Sequence, residues 1–124
     1  MNFIEAIQSG FENYANFSGR TQPSGYWWWV AFGILAGIVA KLFDSALGTA
    51  GVIGLLQGLA LLLPGWAVLV RRLHDVDKSG WNWLWALTIV GIIYVLYLLV
   101  QPGTPGPNRF GEDPRLRPMP SAAV

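Results

Sequence analysis

The densest polar run in the chain is Arg71-Arg72-Leu73-His74-Asp75-Val76-Asp77-Lys78-Ser79-Gly80. If a helix continued into it, Arg71, His74, Asp75 and Lys78 would share one face at spacings of three and four, and Arg71 could pair with Asp75 at i,i+4. The planar fork of a guanidinium suits phosphate, and basic pockets beside helices hold anionic lipid head groups. Together with Arg20, the run is a candidate site for an anion, a lipid or a protein partner. The plainer alternative is a topology signal that holds a short loop in the cytoplasm. Catalysis fits poorly. Adjacent His74 and Asp75 do not face each other on a helix, and the chain has one His and no Cys. Zinc needs three or four ligands, and His74, Asp75 and Asp77 fall short of a set. No nucleophile stands with a base and an orienting third group. The expectation is a non-enzyme with no catalytic, cofactor-binding or metal-binding residue.

A second, sparser set lies in the apolar part of the chain. Lys41 and Asp44 stand at i,i+3 near a helix end, where a mutually neutralised pair is expected. Ionisable residues at membrane depth are otherwise candidates for function. Gln57 could hydrogen-bond between helices or line a pore. Gly33 with Gly37, and Gly54 with Gly58, make two GxxxG pairs, a spacing that lets helix backbones approach closely. Pro64 should kink its helix, because it has no N–H to donate.

The elements that must position these groups are apolar. Only 12% of the 124 residues are charged and 53% are hydrophobic, against roughly 25% charged in an average soluble domain. Three stretches can form transmembrane helices, over 26–43, 48–70 and 81–100. A helix needs about 20 apolar residues to cross the hydrocarbon, and the first stretch reaches this if Lys41 snorkels to the interface. A soluble core helix would carry a polar face, and these carry none. Tyr26, Trp27, Trp28 and Trp29 open the first stretch and Trp81, Trp83 and Trp85 open the third, with Trp66 near the end of the second. In an up-down-up arrangement these aromatics fall at one membrane boundary, where Trp and Tyr collect.

Residues 1–17 alternate apolar and polar at helical spacing, with Phe3, Ile4, Ile7, Phe11 and Tyr14 on one side. They predict an amphipathic helix on the membrane surface. They lack the basic and apolar regions of a cleaved signal, so the first span is expected to act as its own targeting signal. Beyond Gln101 the chain is dense in Pro and Gly and predicts an irregular tail, either folded back with Phe110 as its anchor or disordered; residues 115–124 are expected to be disordered. The short basic loop 71–80 places the N-terminus in the cytoplasm. The net charge of +1 excludes the basic footprint of a nucleic-acid binder.

Three motifs then stand in order: Phe17-Ser18-Gly19-Arg20 with Tyr26-Trp27-Trp28, then Arg71-Arg72-Leu73-His74-Asp75 with Lys78-Ser79-Gly80-Trp81, then the stretch from Pro102 to Pro114 that contains Asn108-Arg109-Phe110-Gly111-Glu112-Asp113. This trio resembles the small bacterial inner-membrane family called domain of unknown function 805, over residues 3–114. The resemblance implies a multi-pass bacterial inner-membrane protein and no established activity. In that family a second basic residue and a Glu usually lie between the Gly-Arg and the Tyr-Trp. Pro23 and Gly25 stand there here, so any pairing of that Glu with the loop is missing.

The expected fold is an all-α membrane protein: an N-terminal amphipathic surface helix, three transmembrane helices and an irregular Pro/Gly-rich C-terminal tail. Residues 1–114 would form a single membrane domain. The expected function is a self-assembling or partner-binding membrane module, with the lipid bilayer, a second copy, an anionic lipid or another membrane protein as partners. The alternative is a small oligomeric channel or transporter for ions or small solutes.

Overall fold

The computed structural model describes residues 1–115, and residues 116–124 lie outside that description. Four α-helices follow one another: α1 (Phe3–Glu12), α2 (Pro23–Leu47), α3 (Val52–Asp75) and α4 (Ile89–Val100), with a 3₁₀ segment, Gly80–Leu87, before α4. Among the described residues there is no strand, only an isolated bridge between Asn108 and Gly111. The chain divides into two compact units. One comprises Met1–Ala15 and Ser24–Val68; the other comprises Asn16–Pro23 and the chain from Leu69 onward.

In the first unit, α1 is shorter than the predicted 1–17 and begins with a capping box. Asn2 accepts from the Glu5 amide at 2.8 Å and Glu5 accepts from the Asn2 amide at 3.1 Å, so two otherwise orphaned donors are satisfied. The packed side of α1 is not the large apolar stripe. Ala6 and Gly10 are the buried residues, whereas Ile4 is 63% exposed. A Cβ at Gly10 would overlap the Trp29 indole. The small residue lets the Trp29 ring lie on the helix backbone, with Phe11 edge-on to it at 5.3 Å.

Helix α2 opens on Pro23, whose fixed φ and missing N–H suit a first helical position. It spans 25 residues and α3 spans 24, each about 36 Å long at 1.5 Å per residue. Both can cross a hydrocarbon core. Within their most apolar stretches only 11% and 17% of residues are buried. A soluble core helix would be largely covered, so these flanks are built for an apolar solvent. Pro64 is buried inside α3, and the helix continues through it. Its missing N–H leaves the Ala60 carbonyl without the usual partner four residues on, and the Tyr14 hydroxyl points at that oxygen from 3.4 Å.

The predicted loop 71–80 is in part helix. Helix α3 runs on through Arg71–Asp75 and then closes: the Lys78 amide donates to Leu73 O and the Asp77 amide to His74 O, both at 3.0 Å. This is a Schellman closure, with Asp77 at φ +60° in the left-handed position. The third predicted helix, 81–100, is two pieces. Thr88 is extended, its side chain accepts from the Gly91 amide at 2.9 Å, and α4 starts after it with only 12 residues. A Thr hydroxyl that can cap a new helix competes with continuing the old one. At about 18 Å, α4 alone is too short to cross. Among the described residues, two single helices rather than three have spanning length.

Candidate functional site

Asp75, the last residue of α3, has no exposed surface. Three guanidinium groups meet its carboxylate. Arg20 reaches Oδ1 through Nε at 3.0 Å, Arg72 reaches Oδ2 at 2.8 Å, and Arg115 reaches Oδ2 at 2.7 Å. The side chains of Arg20, Arg72 and Asp75 are fully covered, and that of Arg115 is 28% exposed. An isolated carboxylate at such depth would be very costly to ionise, and paired guanidinium groups remove most of that penalty. The sequence expected Arg71 to pair with Asp75. The partner is Arg72 at i,i+3, and Arg71 turns away to Asn16 O at 2.6 Å and Thr21 Oγ1 at 3.2 Å.

Arg115 is shared with Asp113 at 3.1 Å, so three guanidinium groups face two carboxylates, and backbone carbonyls hold the excess. Arg72 donates to Leu99 O at 3.2 Å and to Gln101 O, at the end of α4, where helix carbonyls lack intrahelical donors. Arg20 donates to the carbonyls of Thr104 and Gly106, and Arg115 to that of Thr104 at 3.0 Å. The Thr104 amide in turn donates to Asp75 O at 2.7 Å. Gly103 makes this approach possible: its φ is +92°, and a Cβ there would overlap the Asp75 carboxylate and crowd Arg115. Only Gly combines that backbone with that closeness.

His74 belongs to the same assembly and is buried. Its Nδ1 lies 2.9 Å from Gly19 O. A carbonyl has no proton to give, so Nδ1 carries the hydrogen and donates. The ring stacks on Phe110 at 4.0 Å with the planes 2° apart, and Asn108 donates to His74 O at 3.0 Å. Phe110 thereby anchors the folded-back tail. Asp113 fixes the tail further by accepting from the Gly106 amide at 2.9 Å and the Arg115 amide at 3.0 Å. Burial pushes its carboxyl up, but those two N–H groups and the charges of Arg115 and Arg20 outweigh this, and its pKa falls below the ordinary carboxylate value. Lys78, expected on the same face, lies past the helix end and is exposed. Arg109 pairs with Asp77 at 3.4 Å on the surface.

The second set is resolved differently. Among the described residues no ion pair joins Lys41 to Asp44. The Asp44 carboxylate instead accepts from Thr49 Oγ1, from the Ile53 amide at 2.9 Å and from the Gly54 amide at 2.8 Å. It caps the start of α3 from nine and ten residues upstream, where orphan N–H groups and the helix dipole favour an anion. An aspartate three residues after a lysine reads locally as an ion pair, and the turn between the helices overrides that by presenting a better set of donors. Gly54 faces Asp44 at 3.4 Å, whereas Gly33, Gly37 and Gly58 face open space. Gln57 is half-buried. The groove beside Asp44 is also lined by Gly37, Lys41 and Ser45.

Arg20, Arg72, His74 and Asp75 are thus brought together, while Arg71 and Lys78, expected on the face of His74 and Asp75, are directed elsewhere. Sequence reasoning missed Arg115, Thr104, Gly103 and Thr21. Arg115 fell in the stretch 115–124 expected to be disordered, yet it makes ion pairs with Asp75 and Asp113; the remainder of that stretch lies outside the described residues. Its only local signal is a basic residue shortly after Gly-Glu-Asp-Pro. Among the described residues no group of His, Cys, Asp and Glu side chains could hold a metal.

An all-helical chain with two long, barely covered apolar helices and a charged cluster closed by its own tail is an integral membrane protein. It belongs to the family described as "Protein of unknown function (DUF805)", whose model matches residues 14–112. That range holds all three motifs up to Glu112 and stops short of Asp113 and Arg115. The chain is 39% identical over 114 residues to "Inner membrane protein YhaH" of Escherichia coli (strain K12), covering 86% of this chain and 93% of the relative. It is 35% identical over 109 residues to "Inner membrane protein YhaI" of the same strain, covering 86% and 92%. No solved structure matches with significance.

Proposed function

We propose that this protein is a non-enzymatic, multi-pass module of the bacterial inner membrane that assembles with itself or with another membrane protein. The observation that carries the reading is the contrast between a closed polar cluster and open helix flanks. The carboxylate of Asp75 is saturated by guanidinium groups, so it is not free to act as a base. The small-residue positions Gly33, Gly37 and Gly58 meet nothing within 4 Å, and such positions suit close helix approach in lipid. The 3₁₀ segment and α4 make a hairpin that enters and leaves at one level, since Gly80 lies against Val70 and the Leu99 and Gln101 carbonyls both meet Arg72, so the two crossings are α2 and α3. The N-terminus and the end of α3 lie in the cytoplasm, following the basic residues Arg71, Arg72 and Lys78, and α1 lies on the membrane surface.

The test is native mass spectrometry of the full chain released from nanodiscs. Oligomers, or a co-purifying membrane protein, are expected for the wild type. Gly33→Leu with Gly37→Leu should reduce the assembly without unfolding the chain. A strictly monomeric wild type with no co-purifying protein sinks the reading.

A channel or transporter is the second reading. It is favoured by the groove in which Lys41 and Asp44, the charged side chains of α2, both stand. Flux in proteoliposomes that responds to Gln57→Leu or Lys41→Gln, with assembly unchanged, would support it. Absence of flux for a range of small ions and solutes would remove it.

A further inference from the structure

The second unit carries a groove of about 490 Å³ that shares Gln101, Gly103 and Thr104 with the wall of the Asp75 cluster but opens away from its ion pairs. It lies between the end of α4 and the start of the tail, and its lining includes Val76, Lys78, Tyr94, Tyr97, Gln101 and Thr104. Among the described residues no carboxylate lines it. Lys78 is exposed, its backbone amide is fixed to Leu73 O at 3.0 Å by the closure of α3, and its ammonium takes part in no ion pair among the described residues. The neighbouring acid, Asp77, faces Arg109 instead.

Two features give the groove a sign and a level. Gly103 belongs to its wall, and against Gly103 stand Asp75 and Arg115 of a cluster in which three guanidinium groups face the two carboxylates of Asp75 and Asp113. The wall is therefore backed by excess positive charge at low dielectric, where salt screens poorly. Gln101 caps the last turn of the wholly apolar α4, and a Pro/Gly-rich polar segment follows it. The groove thus straddles the passage from apolar helix to polar chain. That is the level at which Tyr and Lys anchor at a membrane boundary.

We propose that this groove binds an anionic phospholipid, with the phosphodiester at Lys78 and the acyl chains along Tyr94 and Tyr97. The Gln101 amide and the tyrosine hydroxyls are the neutral donors available to the head group. A zwitterionic head group would bring an ammonium into a site that has no carboxylate to receive it, so charge alone discriminates. This site differs from the Arg71/Arg72 surface suggested by the sequence, because those two side chains are buried.

The experiment is native mass spectrometry of the full chain in detergent micelles doped with equal amounts of phosphatidylglycerol and phosphatidylcholine. Wild type should retain phosphatidylglycerol preferentially. Lys78→Gln should cut that preference about fivefold, the weight of one basic side chain against an anionic lipid surface, and Lys78→Arg should keep it. Since Lys78 is exposed and makes no ion pair among the described residues, both variants should fold, which Trp fluorescence checks. Equal retention of the two lipids by wild type, or an unchanged preference in Lys78→Gln, overturns the proposal. A second arm adds inorganic phosphate. If phosphate displaces the lipid at matched concentration, the site recognises the free anion and the lipid assignment fails; if lipid stays bound, the acyl contacts are part of recognition.

Discussion

A buried aspartate stands at each end of α3, Asp44 in one unit and Asp75 in the other, and the two are neutralised in opposite ways. Asp44 sits at the start of the helix and is held by dipoles: the Ile53 and Gly54 amides and the Thr49 hydroxyl. Asp75 sits at the other end and is held by full charges from Arg20, Arg72 and Arg115. The helix itself explains the difference. Its first N–H groups are donors in need of an acceptor, so a carboxylate fits there unaided. Its last carbonyls repel a carboxylate, so an aspartate at that end must import cations. The imported cations then also satisfy the carbonyls of α4 and the tail. One end of the helix is capped locally, and the other collects three distant segments.

If that contrast is right, the charged end should be the more fragile. Asp75→Ala should have the largest effect. It leaves buried guanidinium groups without their counter-charge, a loss of about 3–5 kcal/mol for breaking a buried pair. Chemical denaturation in detergent, followed by Trp fluorescence, reads it, and a wild-type midpoint would break the comparison. Gly103→Ala should come next, at about 1–3 kcal/mol for the strained backbone alone, with the overlap on Asp75 adding to it. Rescue of Gly103→Ala by Arg115→Ala would sharpen the point, because it would show that the tail has to give way at the cluster.

Arg115→Ala should lose about 1–2 kcal/mol, the lower part of the range for hydrogen bonds to charged groups, because Arg115 is 28% exposed and partly screened. Limited proteolysis should then cut the tail between Gln101 and Pro114 faster than in wild type. Asp44→Ala should cost less than Asp75→Ala, about as much as a lost helix cap, and Asp44→Asn should recover much of it because an amide oxygen still accepts. Equal losses at Asp44 and Asp75 would mean that dipoles and charges serve equally well here. The smallest effect concerns pH. Asp113 has a folded pKa below its ordinary value, so its contribution is complete above the unfolded value of about 3.9 and disappears as pH falls through the lower folded value. Tail protection from protease should therefore hold from neutral pH down to about 4 and weaken below it; weakening already at pH 6 would point to another group.

Much of this was legible in sequence. The apolar runs, the aromatic boundaries and the low charge foretold the helices, because spanning length and side-chain hydropathy are local properties. Arg20, Arg72, His74 and Asp75 stood out through their types alone. Their partners did not. Arg71 and Arg72 are adjacent, and helical spacing favours Arg71 for Asp75, yet the closure of α3 and the course of residues 16–21 assign them opposite tasks. The Lys41–Asp44 pairing failed for a related reason, since a turn can bring two backbone amides to a carboxylate from far along the chain. The single helix predicted over 81–100 failed at Thr88, where hydropathy is blind to a side chain that caps.

By itself, then, the sequence determined what kind of solvent this chain needs, where its long helices run and which few polar residues stand apart. Tertiary structure alone decided which guanidinium meets which carboxylate, that the tail to Arg115 is part of the site, and that a glycine at 103 is required. Burying apolar surface is additive along the chain and can be read one segment at a time. A buried carboxylate takes its partners from whatever the fold places within about 3 Å, and here those partners come from residues 20, 72 and 115.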